Sequence, residues 1–404
     1  MITGQARLRP ELPPRGGSGR PLRVATVITR LEGGAGVLAL RGAMAMDPDA
    51  FAVTIVTGSG DRLLDAARAA GLEIIVEPSL RAPIAPRSDM QALRRLTTLV
   101  GRRNYDVVHT HCAKAGTVGR LAARRAGVPR TVHTFHGFPF HEFQSIARKQ
   151  AYVSIERRLG RFTDVALCVG AGVAAEAVRR QLVAPERIRT IGVVVDGLDE
   201  TTATATAPTA QARRRGRITL GLPLDATVVG AVGRLTYQKA PEDFLAAMQQ
   251  LGRPEVTGLW VGGGELAERI GRRARALSGT RVVLAGERTD VLELLPAFDV
   301  FALPSRYEGL PTAVVEAMSC GVPVVATAVN AVSDVVVPGE TGLLVPPHRP
   351  DLMAAGIGYL LDSPAAAARM AATTRRRLTG RYAETALRDA LAAAYAPATW
   401  AVTG

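Results

Sequence analysis

The sequence predicts an α/β protein made of two parallel, helix-covered sheets, and three observations predict it. Short apolar runs of strand length alternate with amphipathic helical stretches along most of the chain. Forty-one glycines and 25 prolines with only 4% aromatics point to many tight strand-to-helix turns and to cores filled by Ala, Val and Leu. With 404 residues, 47% apolar and 21% charged, the chain holds more than one ordinary domain, and disorder of the whole is excluded.

Residues 1–20 (MITGQARLRPELPPRGGSGR) read as a basic, disordered arm without the apolar centre of a signal peptide. From Leu22, LRVATVIT reads as a buried strand, Glu32-Gly33-Gly34-Ala35-Gly36 as a glycine turn, and VLALRGAMAM as a helix. FAVTIVTG, LEIIVEP, YDVVHTH, RTVHTFHG and DVALCVG repeat the strand signature. Helical stretches such as DRLLDAARAAG, SDMQALRRLTTLVGRR and AGTVGRLAARRAG separate them, completing a first domain over 21–198. Residues 199–217, mostly TTATATAPTAQARRRGR, lack apolar periodicity and read as a linker. A second alternating series over 218–380 runs from ATVVGAVGR through VTGLWVGGG, TRVVLAG and DVFALPS to PVVATAV and TGLLVPP. The end of the chain is Ala/Arg-rich and helical, and from 381 it is expected to return to the first domain.

The formal charge of +14 suits phosphorylated substrates, an anionic membrane surface or nucleic acid. Nucleic acid is set aside because no aromatic-studded basic sheet or helix-turn-helix signal appears. The three cysteines, Cys112, Cys168 and Cys320, lie far apart, which removes a disulfide framework and a structural zinc site and fits a reducing cytoplasm. No stretch reaches the roughly 18 apolar residues of a membrane span. The expected location is therefore cytoplasmic or peripheral to the inner face of a membrane. No P-loop and no Ser-His-Asp set is present.

The segment best suited to chemistry is Glu308-Gly309-Leu310-Pro311-Thr312-Ala313-Val314-Val315-Glu316, two carboxylates with seven residues between them where a helix begins. Glu308 precedes the helix and Glu316 lies two turns inside it. The N–H groups of Gly309, Leu310 and Thr312 can point at an anion, where the helix dipole adds to the attraction. A second segment, Gly233-Arg234-Leu235-Thr236-Tyr237-Gln238-Lys239, sets two cations after a buried strand. Lys239 is one of three lysines among 50 basic residues, so a compact ammonium stands where the chain almost always writes arginine.

These segments resemble the family 4 retaining glycosyltransferases of GT-B architecture, through the E-x7-E and G-R-x(4)-K motifs. The turn Leu259-Trp260-Val261-Gly262-Gly263-Gly264, the loop Val283-Leu284-Ala285-Gly286-Glu287-Arg288, Gly33-Gly34 and Thr134-Phe135-His136-Gly137 fall in the family's order. The resemblance implies two Rossmann-like domains facing a central cleft, with the C-terminal helix crossing back to the N-terminal, acceptor-side domain. It implies a nucleotide diphosphate sugar donor (UDP- or GDP-sugar), a hydroxyl-bearing acceptor, and no metal or other cofactor. Arg234 and Lys239 would neutralise the departing diphosphate, whose charge grows as the sugar bond breaks. Glu316 would hold the ribose hydroxyls, Glu308 would lie by the sugar, and Gly309, Leu310, Pro311 and Thr312 would line the donor. Arg288 and Val291 would border the nucleobase, Gly33 and Gly34 would admit the pyrophosphate, and His136 would reach the reaction centre. His111, Lys114 and His141 are expected on the acceptor side, with Lys114 available to an acidic or phosphorylated group. Where many members have Asn-Gly before the hinge, this chain has Ile191-Gly192-Val193-Val194-Val195-Asp196. Other readings of the same motifs are a GT-B sugar-nucleotide epimerase and an inactive nucleotide-sugar-binding protein.

Overall fold

The computed structural model describes residues 20–60, 62–82, 84–140, 144–194, 208–378 and 382–396. The chain divides into two compact units: Met1–Cys168, Ala177–Val194 and Glu384–Gly404 form one, and Val169–Glu176 and Val195–Ala383 the other.

The first unit alternates β1 (Leu22–Leu31), α1 (Gly33–Met44), β2 (Phe51–Gly60), α2 (Arg62–Ala69), β3 (Glu73–Val76), α3 (Pro86–Arg103), β4 (Val107–His111), α4 (Ala113–Ala126), β5 (Arg130–Phe135), α5 (Ile146–Gly160), β6 (Val165–Cys168), α6 (Ala171–Arg179) and β7 (Ile188–Thr190). The early residues of α6 group with the second unit. All neighbouring strands are parallel, in the order β3-β2-β1-β4-β5-β6-β7. Apolar side chains occupy both faces of β1 and β4 because helices cover both sides of a parallel sheet. Sequence neighbours stop pairing between β1 and β4, the point where an open α/β sheet leaves a crevice at its strand ends.

The second unit contains α7 (Ala210–Thr219), β8 (Thr227–Val232), α8 (Pro241–Leu251), β9 (Val256–Val261), α9 (Ala267–Arg275), β10 (Arg281–Leu284), α10 (Val291–Leu294), β11 (Val300–Leu303), α11 (Thr312–Ser319), β12 (Val324–Thr327), β13 (Leu343–Val345), α12 (Pro350–Asp362) and α13 (Pro364–Leu378). Its parallel sheet runs β10-β9-β8-β11-β12-β13, with the corresponding switch between β8 and β11. Its core packs Val229, Ala231, Phe244, Met248, Trp260, Ile357 and Met370.

The linker expected over 199–217 needs correction. Residues 195–207 lie outside the described residues, but 210–219 form α7, whose N-terminus Thr209 caps by accepting from the Ala212 N–H at 3.1 Å. Arg213 and Arg217 of this helix both pair with Asp299. A helix held by arginines carries little apolar periodicity, so composition concealed it. The C-terminal segment, read as one helical stretch, is α13 followed by α14 (Glu384–Tyr395), which groups with the first unit. There Arg130 Nε donates to the Ala394 carbonyl at 2.9 Å. Among the described residues no helix is long and apolar enough to cross a membrane.

A fully buried ion pair joins α4 to α5. Arg120 Nη2 donates to Glu156 Oε2 at 2.6 Å and its Nε to the Gly116 carbonyl at 2.8 Å, with the two side chains 0% and 3% exposed. Breaking such a pair strands one charge in a low-dielectric interior, so Glu156→Ala is expected to cost about 3–5 kcal/mol, read from the urea midpoint of this unit. The double replacement Arg120→Met, Glu156→Leu should recover most of that loss. A midpoint unmoved by Glu156→Ala would show that the charge is solvated.

Candidate active site

In the second unit the residues singled out from sequence sit at the carboxyl ends of neighbouring strands. Gly233 to Lys239 leave β8, Gly262 to Gly264 leave β9, Gly286 to Arg288 leave β10, and Ser305 to Glu308 leave β11. The first three loops are tied edge to edge. The Gly262 N–H donates to the Gly286 carbonyl at 2.7 Å, the Leu235 N–H to the Gly263 carbonyl at 2.7 Å, and Trp260 Nε1 to the Gly233 carbonyl at 2.8 Å. Gly262, at φ +137°, permits this crossing, since a Cβ there would stand 2.2 Å from the Gly233 oxygen. A Cβ on Gly233 would meet the Lys239 side chain at 3.2 Å, so the glycine makes room for the lysine stem.

Lys239 is where the two motifs meet. Its Nζ lies 2.5 Å from Glu308 Oε1, with the two side chains 17% and 5% exposed. Gln238 Nε2 donates to Glu308 Oε2 at 3.3 Å and to the Tyr307 carbonyl at 3.1 Å. The Glu308 N–H donates to Asn330 Oδ1 at 3.0 Å. Arg306 clamps the same two segments. Its N–H donates to the Gln238 carbonyl at 2.8 Å, its Nη1 to the Tyr237 carbonyl at 2.6 Å, and its guanidinium lies 4.3 Å from the Tyr237 ring centroid. Arg234 is exposed. Burial, then the neighbouring Tyr237 and Glu308, push the Tyr307 hydroxyl up, and Arg234 acts in the opposite sense, which places the guanidinium by this segment.

Helix α11 starts at Thr312 after Pro311, and no side chain caps it. Gly309 and Thr312 are half-buried, whereas Leu310 and Pro311 are buried. Glu316 is half-buried four residues beyond Thr312, just over one turn into the helix rather than two. Arg288 spends Nε and Nη2 on Asp290, at 2.9 and 2.5 Å, and Val291 opens the short helix α10. Both stand at the end of the sheet that carries Lys239.

In the first unit, Gly33 follows β1 at φ +61°, and it and Gly34 are exposed at the start of α1. His111 ends β4 and His136 follows β5, so glycine turn and histidines occupy the ends of three adjacent strands. His111 Nδ1 lies 2.9 Å from His136 Nε2, and the His111 ring rests on His109 with centroids 4.2 Å apart. His109 is fixed by Tyr395 Oη at Nδ1, 2.8 Å, and by Thr134 Oγ1 at Nε2, 2.7 Å. His133 Nδ1 meets Thr110 Oγ1 at 2.8 Å. Burial lowers His109 to about 3 and His136 to about 4, and holds His111 and His133 well below the ordinary histidine value.

His111 is the buried last residue of β4 and faces His136. Lys114 sets its ammonium on both oxygens of Asp89 at 2.6 Å. His141 lies outside the described residues. Cys112 and Cys168 are thiols raised by burial, to about 11 and about 12, and neither is poised as a nucleophile. Sequence reasoning gave no role to Gln238, Arg306, Asn330, Thr134 and Tyr395. Gln238 and Thr134 stood inside quoted motifs; the partners of Arg306, Asn330 and Tyr395 are far along the chain and left no local signal.

Two family profiles match this chain: glycosyltransferase family 4 over residues 32–196, and glycosyl transferases group 1 over 213–377. A D-inositol 3-phosphate glycosyltransferase of Xylanimonas cellulosilytica is 34% identical over 289 residues, 67% of each chain. The chain belongs to the family 4, group 1 glycosyltransferases. This family member is also 34% identical, over 63% of its own length and 65% of the relative's, to the Escherichia coli UDP-Gal:alpha-D-GlcNAc-diphosphoundecaprenol alpha-1,3-galactosyltransferase. It thus matches about two thirds of the length of these curated relatives. Its fold is the GT-B fold. Anabaena HepE in complex with UDP and glucose superposes with a TM-score of 0.79 at 20% identity, over 92% of this chain and 98% of that one. Sucrose-phosphate synthase of Thermosynechococcus elongatus gives 0.77 at 22% identity, over 93% and 98%.

Proposed function

We propose that this family 4 member is a retaining, metal-independent glycosyltransferase that moves a sugar from a UDP- or GDP-sugar to a hydroxyl of a phosphate-bearing saccharide, polyol or lipid-linked acceptor. The observation that carries the reading is the 2.5 Å contact between Lys239 and Glu308, which joins the two donor motifs in one site. The Glu308 carboxylate keeps the ammonium extended and ordered before substrate arrives. When the nucleotide departs, Arg234 and Lys239 face the growing diphosphate charge, so their attraction is greater in the transition state than in the ground state. The ordered ammonium of Lys239 and the guanidinium of Arg234 supply the neutralisation that a divalent ion would otherwise provide. Glu308 and Glu316 offer paired oxygens to sugar and ribose hydroxyls, and the uncapped start of α11 offers N–H groups to phosphate oxygens. For retention, the acceptor attacks from the face the nucleotide leaves, and the donor phosphate takes the acceptor proton.

A phosphorylated acceptor is supported by the names of the relatives, which specify D-inositol 3-phosphate and a diphosphoundecaprenol-linked GlcNAc. Contact with an anionic membrane is supported by α5, which exposes Ile146 (79%) and Arg148 at its start and Ile155, Arg157 and Arg158 at its end. Binding to anionic vesicles that weakens with added salt is the expected result. The function itself is tested by nucleoside diphosphate release with UDP-, GDP- and dTDP-sugars and a panel of phosphorylated acceptors. Release with one donor, dependent on acceptor, supports it; an epimer formed from donor alone, or no release with any pair, overturns it.

A further inference from the structure

His136 is the histidine proposed for the reaction centre, and its ring has one nitrogen left for a ligand, because Nε2 is spent on His111 Nδ1 at 2.9 Å. The contact follows from the sheet: β4 pairs with β5 so that His111 lies opposite Thr134, two residues before His136. Burial keeps both rings neutral at pH 7, so across the contact one nitrogen donates and the other accepts. The choice is set at the far side of His111. Among the described residues, its Nε2 is buried without a partner. It lies beside a cavity of about 10 Å³ whose lining mixes Leu38, Leu387 and Leu391 with the Thr26, Thr134 and Tyr395 side chains. The polar side chains that line it are engaged with one another: the Tyr395 and Thr134 hydroxyls with the two nitrogens of His109, and the Thr26 hydroxyl with Tyr395. An orphaned buried N–H is rarer in folded proteins than an under-satisfied acceptor, so the His111 proton belongs on Nδ1, where it has a partner.

We propose that His111 is a positioning residue that donates through Nδ1–H to Nε2 of His136 and so holds His136 as the Nδ1–H tautomer, a hydrogen-bond donor toward the ligand rather than a base. The tilted ring contact with His109 at 38°, itself pinned by Thr134 and Tyr395, restrains the plane of the His111 ring. A neutral N–H aimed at a sugar hydroxyl or a departing oxygen strengthens as negative charge develops there. This catalytic consequence rests on the proposed function; the tautomer does not.

The two are separated by measurement. In the full chain labelled with ¹⁵N-histidine, two-bond ¹H–¹⁵N correlation at pH 7 reads which ring nitrogen carries the proton, and His136→Gln assigns the signal. The expected spectrum has His136 protonated at Nδ1 and bare at Nε2. His111→Phe should shift His136 toward the Nε2–H form and lower kcat for nucleoside diphosphate release at least tenfold, with donor KM within threefold; His111→Asn should restore part of the kcat. A wild-type His136 protonated at Nε2 overturns the proposal without any variant, as does a folded His111→Phe whose His136 signal is unchanged. If the wild type turns over no donor, the functional reading fails while the spectrum still decides the tautomer.

Discussion

Replacing Lys239 by alanine is expected to lower kcat/KM for nucleoside diphosphate release by about 10²–10³-fold, the usual loss when one preorganised charge partner of a transition state is removed. Two effects add. The diphosphate loses a cation whose stem is fixed against Gly233, and Glu308, 5% exposed, keeps a carboxylate in the site that, among the described residues, is left with Gln238 Nε2 at 3.3 Å to meet it. An uncompensated buried anion then repels the very charge that the reaction generates. Lys239→Arg should not restore activity: the guanidinium is a planar fork, while the space beside Gly233 is shaped to a linear stem ending in a compact ammonium. Glu308→Gln keeps a hydrogen-bonding oxygen and should be milder than Glu308→Ala. Turnover by Lys239→Ala within threefold of wild type would remove the phosphate-clamp assignment.

Acid is expected to unfold the first unit well before the second. An unfolded histidine titrates near 6.5, whereas His109 and His136 are lowered to about 3 and about 4 by burial, and His111 and His133 lie well below the ordinary value. Between those values the unfolded chain binds more protons than the folded one, so stability rises with pH across this window. The contribution is complete above about pH 6.5 and is lost as pH falls through 5 toward 4 and 3. Each such group withdraws up to ~1.4 kcal/mol per pH unit, so His109 and His136 together remove on the order of 4 kcal/mol by pH 5. The urea midpoint of this unit should therefore drop steeply between pH 7 and 5, with a smaller drop in His109→Gln. A midpoint that stays level over that range would mean that these rings exchange protons with solvent while folded.

The acidic sensitivity and the clamp differ in how far each was legible beforehand. Lys239 and Glu308 could be read from the sequence because each sits in a short local pattern, a glycine turn after a strand or a helix start, whose geometry is set within a few residues. The alternation of strands and helices was legible for the same reason: a period of two or 3.6 residues is a local property. The partner of Lys114 was not legible because Asp89 lies on α3, and no neighbouring residue announces the pairing. The surroundings of His111 were not legible because they are created by β5 and by the ring of His109, not by the residues that follow it. The stretch around Arg213 and Arg217 looked structureless because its anchor, Asp299, is more than 80 residues away.

The sequence by itself determined two parallel α/β units, the turns at which their strands end, and the two charged motifs of the second unit. Only the tertiary structure decided which side chains are partnered: Lys239 with Glu308, Lys114 with Asp89, His111 with His136, and Tyr395 of α14 with His109. The reason is electrostatic. A side chain's protonation and reach depend on the dielectric and the partners within a few ångströms. Those neighbours are brought together by strand register and helix docking across tens to hundreds of residues of chain.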